Sequence, residues 1–309
     1  IHTTFNQLKR QEEGSSDIKG AGPGRLSSSD PNLQQQPGRK PAWWALPVPI
    51  HIFWRKIYIP DEGGRWCAMD YSGQEPRMMV HFASLCESPG ADKAVWSAHN
   101  DPSWDFHDST TEMAFGATHE NTDPIQFKHL RGQAKIIFLG LVYGMGGGKL
   151  CQNLGFSTIK SSFSKGGKNI EYLAAGPEGE KFLKEFNARV PFLADLRDKA
   201  KNAAYGKHYI QTLLGRHIHY EVGRGNERKA LNNLIQGSSA DQTKLAMVQI
   251  DQAGYTLSLQ VHDECDTTIY SDKEAQEMAG IMTDCVKLAV PSKVDIEIGN
   301  SWGNSMEKK

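Results

Sequence analysis

Two aspartates and one stripe of side chains carry most of the chemistry this sequence could perform. Asp70 follows the apolar run Trp66-Cys67-Ala68-Met69, and Asp263 lies in a short turn, His262-Asp263-Glu264, between two apolar alternating segments. Carboxylates at strand ends and turns are projected from a rigid sheet, although either one alone reads as an ordinary solvated turn residue. Between them runs Arg131-Gly132-Gln133-Ala134-Lys135-Ile136-Ile137-Phe138-Leu139-Gly140-Leu141-Val142-Tyr143-Gly144. Helical residues four apart drift by only about 40°, so Arg131, Lys135, Leu139 and Tyr143 form one stripe about 18 Å long. It is cationic at one end, apolar and aromatic at the other. A nucleoside triphosphate laid along it would set its phosphates on the cations and its sugar and base on Leu139 and Tyr143. Two snorkelling cations on a buried helix are the plainer reading of the same residues. An acid pair together with a triphosphate helix points to two-metal phosphoryl transfer with two Mg²⁺ ions as cofactors. Gly146-Gly147-Gly148-Lys149 lacks the GxxxxGK[ST] spacing and does not follow a strand, which argues against a P-loop ATPase.

The elements that must position these residues follow from periodicity. Residues 57–60 and 65–70 read as a hairpin turned at Asp61-Glu62-Gly63-Gly64, which puts Asp70 at a strand end. Helical spacing covers 75–85 and 126–144, with Gly146-Gly147-Gly148 as the stop, then 179–204 with a break at Pro191, and 228–253 as one long helix. The patch Gly237-Ser238-Ser239 in that last helix leaves room for another segment to approach its backbone. Strands are expected at 256–261 and 265–270 around the Asp263 turn, and a final one at 294–298. Residues 14–49, rich in Gly, Ser, Pro and Gln, read at first as a linker. No internal repeat is evident.

Composition bounds the answer without deciding it. The chain has 309 residues, enough for about two domains, and 35 Lys plus Arg against 36 Asp plus Glu leave a net charge of −1. A polyanion must therefore be held by local positive patches. No stretch of about 18 apolar residues exists to span a membrane. The five cysteines, Cys67, Cys86, Cys151, Cys265 and Cys285, are odd in number and form no CxxC pair, which speaks against a disulfide framework or thiolate zinc site and for a reducing compartment. Ile1-His2-Thr3-Thr4-Phe5 resembles neither a signal peptide nor a natural start, so an N-terminally truncated fragment is expected.

Taken together, these segments resemble the palm and fingers of family A DNA polymerases, the class of bacterial DNA polymerase I and many phage replicases. The first motif stands as Asp70-Tyr71-Ser72-Gly73-Gln74-Glu75-Pro76-Arg77, the second as Arg131 to Gly144, and the third as Gln260-Val261-His262-Asp263-Glu264. Gly24 to Gln34 looks like the family's template-primer segment and replaces the linker reading there. Thr212-Leu213-Leu214-Gly215-Arg216, Arg228 to Asn232, Gln236 to Asp241, and Ala289-Val290-Pro291 with Gly299-Asn300-Ser301-Trp302 follow in family order.

The resemblance implies an α/β (α+β) fold, an antiparallel palm sheet flanked by helices with a mostly helical fingers domain inserted. It divides the chain into palm over 1–100, fingers over 101–225 and palm again over 226–309. It also implies that thumb and exonuclease regions precede the Arg25 segment in the parent protein, and that the C-terminal end is complete. Asp70, Asp263 and the Tyr71 carbonyl become metal ligands, with Glu264 in support. Arg131, Lys135 and His107 become phosphate ligands, Lys135 also the general acid toward pyrophosphate. Glu75 becomes the steric gate against ribose, Leu139 and Tyr143 the sugar and base contacts. Arg25, Asn32, Gln34, Arg228, Asn232, Gln236 and His262 become primer-template contacts. The implied partners are primer-template DNA and dNTPs, the implied location the cytoplasm, that of the host for a phage-encoded protein; further replication partners stay open.

Two departures stand out. Gln74 replaces an apolar residue usual beside the gate, which suggests altered fidelity or sugar selection, and Leu139 replaces an aromatic, which implies discrimination against dideoxynucleotides and resembles virus-encoded members. Residues 40–54 depart from the family's basic loop and read as a bare aromatic patch or as core. A single-subunit RNA polymerase shares the palm aspartates, but Glu75 and the His262-Asp263-Glu264 triplet argue against it. A nucleotide- and DNA-binding module is the remaining alternative.

Overall fold

The sheet that carries both aspartates is four-stranded and antiparallel, in the order Leu259–Val261, Glu264–Ile269, Arg65–Tyr71, Val294–Gly299. This computed structural model describes residues 2–7, 10–11, 18–19, 23–36, 54–101, 103–165, 168–221 and 226–305. Residues 40–53 of the expected aromatic patch lie outside them. The chain divides into two units: Ile1–Gln74 with Thr212–Gly215 and Gln236–Lys309, and Glu75–Gln211 with Arg216–Ile235.

In the first unit, the strand Arg65–Tyr71 is paired on both edges and buried on both faces, which is why its sequence is a continuous apolar run. Cys67, Met69 and Tyr71 face one layer with Ala246 and Ile250 of the helix Ala230–Gln252 and Met278 and Met282 of the helix Asp272–Asp284. Trp66 and Ala68 face the other way, against Leu33, Leu259, Val261 and Trp302. The expected hairpin is not formed. Residues 57–60 make no strand, because both edges of Arg65–Tyr71 are taken by distant segments and Pro60 has no N–H to give a ladder. Instead, the Tyr58 carbonyl accepts from Trp302 N at 3.0 Å, while the turn still closes through Gly64 N to Asp61 O at 3.0 Å. The small-residue patch is used as its composition suggests: the Leu213 N–H donates to Ser238 Oγ at 3.0 Å, and Thr212 Oγ1 to Asp241.

The second unit is mostly helical. Its helix Pro124–Val142 buries Phe127, Ala134, Ile137, Phe138 and Val142. Phe138 meets Phe106 at the start of the helix Phe106–Phe115, with ring centroids 4.9 Å apart. Burying such side chains contributes about 1.5–3 kcal/mol each. The stop is Gly144 rather than the glycine triplet. Gly144 has φ +65°, and a Cβ there would lie 2.5 Å from the Arg228 carbonyl oxygen. Gly146 is instead the N-cap of the next helix, Gly147–Asn153, and Gly148 permits close approach to the Leu173 carbonyl, 2.0 Å from where its Cβ would be. That carbonyl belongs to a two-stranded ribbon, Thr158–Lys165 with Lys168–Ala175, that periodicity does not announce.

Candidate active site

A cluster of carboxylates belongs to the first unit. Register places Asp70 opposite Glu264 on one neighbouring strand and opposite Asp295 on the other, so three partly buried carboxylates cross one sheet face in a row. The Asp263 turn is fastened to the same strand end, with Tyr71 N donating to Asp263 O at 3.3 Å and His262 at φ +60°. Like charges directly opposed across strands are destabilising, a cost that a cation bound at the row would relieve. Its donors are hard oxygens. Among the described residues no group of three or more His, Cys, Asp or Glu forms a metal cage. Mg²⁺ needs none, since it takes one or two carboxylates and fills its shell with water and substrate phosphates. Asp70, Asp263 and the Tyr71 carbonyl fit that requirement. Glu264 is held in place by Trp302, whose Nε1 donates to Oε1 at 3.1 Å.

The stripe from Arg131 to Tyr143 belongs to the second unit. Lys135 and Tyr143 are exposed and Arg131 and Leu139 half-buried, while Ala134, Ile137 and Phe138 are buried, so the stripe is the outward face of its helix. Tyr143 lies one residue past the helix but keeps its bond to the Leu139 carbonyl at 2.9 Å. Arg131 is held by two carboxylates, Nη2 on Asp105 Oδ1 at 3.0 Å and Nε on Asp108 Oδ1. Asp105 Oδ1 also caps the helix Phe106–Phe115, accepting from His107 N at 2.8 Å and Asp108 N at 2.9 Å. Burial pushes the Asp105 carboxyl up, but the Asp108 N–H and Arg131 outweigh it and hold it below the usual range. His107 is packed against Phe106 and Phe138, and burial lowers its pKa to about 4, with Arg131 and Lys135 adding to the effect. It is a neutral imidazole at pH 7, and its enclosed Nδ1 has no hydrogen-bond partner. Glu75 is half-buried in the first turn of the helix Gln74–Leu85.

Gln74 itself belongs to the first unit and is buried. Its Nε2 reaches Ser239 O at 3.2 Å, Gln242 Oε1 at 3.1 Å and Thr243 Oγ1 at 3.1 Å. The departure from an apolar residue thus fills a polar notch on the helix Ala230–Gln252.

Three of the expected DNA contacts come together around Gln260. Arg25 and His262 line one small cavity with it, and Gln34 Nε2 donates to its Oε1 at 2.9 Å. Burial, then Arg25, lowers the His262 pKa. Gln34 is itself buried and accepts from Ser28 N at 3.2 Å, so its side chain orders the segment it belongs to. Asn32 caps the following turn by accepting from Gln34 N at 3.1 Å. Gln236 and Asn232 are half-buried on the long helix, the Asn232 Oδ1 without a hydrogen-bond partner, and Arg228 is exposed just before it. Sequence reasoning missed Asp105, Asp108, Trp302 and Asp266. For Asp266 a signal existed in period two: it follows Glu264 onto the same face of a strand.

The family model described as DNA polymerase family A matches residues 1–304. The DNA-directed DNA polymerase of Pseudomonas phage M6 is 42% identical across 99% of this chain and 47% of its own length. The thermostable DNA polymerase I of Thermus aquaticus is 29% identical across 99% of this chain and 33% of its own. Among solved structures, the POL domain of Pol1 from M. smegmatis in complex with DNA primer-template and dNTP superposes with a TM-score of 0.73 at 27% identity, covering 98% of this chain and 48% of that one. The chain spans less than half the length of these relatives. A family model that matches residues 1–304, on a chain whose sheet sets Asp70 opposite Glu264 and whose helix sets Arg131 and Lys135 on one face, places this chain in DNA polymerase family A.

Proposed function

We propose that this chain adds deoxynucleotides from dNTPs to a primer 3′-OH under the direction of a template. The primer 3′-hydroxyl releases its proton to solvent as its oxygen bonds to the α-phosphorus, the bond from that phosphorus to the bridging oxygen breaks, and pyrophosphate leaves. The observation that carries this reading is the carboxylate row at Asp70 with the Asp263 turn fastened beside it. Asp70, Asp263 and the Tyr71 carbonyl would hold two Mg²⁺ ions, which when bound stabilise attacking and leaving oxygens. Arg131 and Lys135 bind the triphosphate as charges, and His107, being neutral, contributes an N–H and no charge. Lys135 gives its proton to the departing pyrophosphate. Tyr143 stacks on the incoming base, Leu139 packs on the sugar, and Glu75 excludes a 2′-hydroxyl.

Arg25, Asn32, Gln34, Arg228, Asn232, Gln236 and His262 contact or order the primer-template. Minor-groove acceptors sit at similar places on every base pair, so such contacts test pair shape without reading sequence. In this reading residues 1–100 and 226–309 are the palm and 101–225 the fingers. The site of action in this reading is the cytoplasm, that of the host for a phage-encoded protein; among the described residues no helix is long and apolar enough to cross a membrane. Primer extension on a defined template with dNTPs and rNTPs in parallel tests the proposal. Extension by dNTPs alone is expected. Extension by rNTPs at equal rate would remove Glu75 from its role, and no extension with either would remove the activity from this chain.

A further inference from the structure

Asp266 is a buried carboxyl that the mechanism above does not use. It lies two residues past Glu264 on the same face of the strand Glu264–Ile269, opposite Ala68, and is 0% exposed. Its Oδ1 accepts from Trp66 Nε1 at 3.1 Å, while its Oδ2 is enclosed and has no donor. Glu264, the next carboxyl along, accepts from Trp302 Nε1. The two indoles are themselves stacked, centroids 6.5 Å apart at 28°, and the Arg55 guanidinium lies 4.0 Å over the Trp302 ring. Each tryptophan therefore gives one N–H to one of two neighbouring carboxyls. Glu264 stands two residues along on the same face of the strand, and two facing carboxylates have no hydrogen to share. Burial, with the Glu264 charge beside it, drives the Asp266 pKa well above the carboxylate range.

We propose that Asp266 is a neutral carboxylic acid whose O–H donates to Glu264, making it a positioning residue that holds the Glu264 carboxylate in the row beside Asp70. Its effect on catalysis rests on the polymerase reading; the shared proton does not. An apolar side chain in its place would leave the buried Trp66 N–H without its acceptor, so the loss of stability in Asp266→Val is read separately from its effect on rate.

The test has two arms on the chain as it exists. Infrared difference spectra of wild type against Asp266→Asn are expected to show the carbonyl band of a protonated carboxylic acid, shifted in D₂O and lost in the variant. No such band would overturn the proposal, whether or not the protein is active. In single-nucleotide incorporation, Asp266→Val is expected to lower kcat roughly tenfold, the worth of one charge-assisted hydrogen bond, with the dNTP KM within about twofold. Asp266→Asn recovers most of that rate, because its amide still donates. In a Glu264→Ala background, Asp266→Val adds nothing further. Losses that add in the double variant, or an Asn variant as impaired as Val, would overturn the positioning role. Should the Val variant fail to fold, the Asn variant and the infrared band still decide.

Discussion

Asp105 does two jobs with one oxygen, and replacing it separates them. Oδ1 caps the helix Phe106–Phe115 and also accepts from Arg131. A lost N-cap costs about 1 kcal/mol. The ion pair is worth about 0.5 kcal/mol, because its side chains are 36% and 42% exposed and solvent screens them. Asp105→Ala should therefore lose about 1.5 kcal/mol, a fall in Tm of about 3–6 °C, whereas Asp105→Asn keeps the cap and should fall by about 1–2 °C. The assay is thermal denaturation followed by circular dichroism at low salt and in about 1 M salt, where the Debye length shrinks to about 3 Å. High salt should bring the Asn variant to the wild-type Tm and leave the Ala variant with its capping deficit. An Asn variant that falls as far as Ala, or an Ala deficit that vanishes in salt, would refute the division of labour.

Three further outcomes follow from the same geometry. His107 titrates near 4 in the folded chain and near 6.5 unfolded, so the unfolded chain takes up the proton first. Its stabilisation is complete above about pH 6.5 and lost as pH falls toward 4, by up to about 3 kcal/mol; urea denaturation across that window should show the slope, and His107→Gln should flatten it. Gly144→Ala should destabilise by about 2 kcal/mol or more in chemical denaturation, since φ is +65° and the new Cβ meets the Arg228 carbonyl, whereas Gly132→Ala, in open space inside a helix, should stabilise by up to about 1 kcal/mol. Leu139→Tyr should raise dideoxynucleotide incorporation relative to the deoxy form, because a tyrosyl hydroxyl replaces the missing 3′-OH; an unchanged ratio in competitive chain termination would contradict the sugar contact given to Leu139.

Much of the site was legible because its cues are local. The run Trp66 to Met69 announces a buried strand, and the four-residue spacing of Arg131, Lys135, Leu139 and Tyr143 announces one helix face. The aspartates stand where those cues end. What escaped is set by distant partners. Nothing near residues 57–60 reveals that the strand Val294–Gly299 occupies the edge a hairpin would need. The ribbon at 158–175 is hidden by the serines among its apolar residues, which blur the alternation that marks a strand. Asp266 looks like a surface residue until Trp66, 200 positions away, and Trp302 close over it and Glu264. The stop at Gly144 depends on the Arg228 carbonyl, a distant partner, while the glycine triplet is the more conspicuous local signal.

In the proposed reaction Asp70 and Asp263 carry phosphoryl transfer while Arg131 and Lys135 hold the triphosphate. Its most direct test is single-nucleotide incorporation on a primer-template as a function of Mg²⁺ and dNTP concentration, in wild type, Asp70→Asn, Asp263→Asn and Arg131→Ala. Both aspartate variants should lose incorporation at every Mg²⁺ concentration while still binding primer-template, and Arg131→Ala should raise the dNTP KM. Incorporation by either aspartate variant at the wild-type rate would contradict the account.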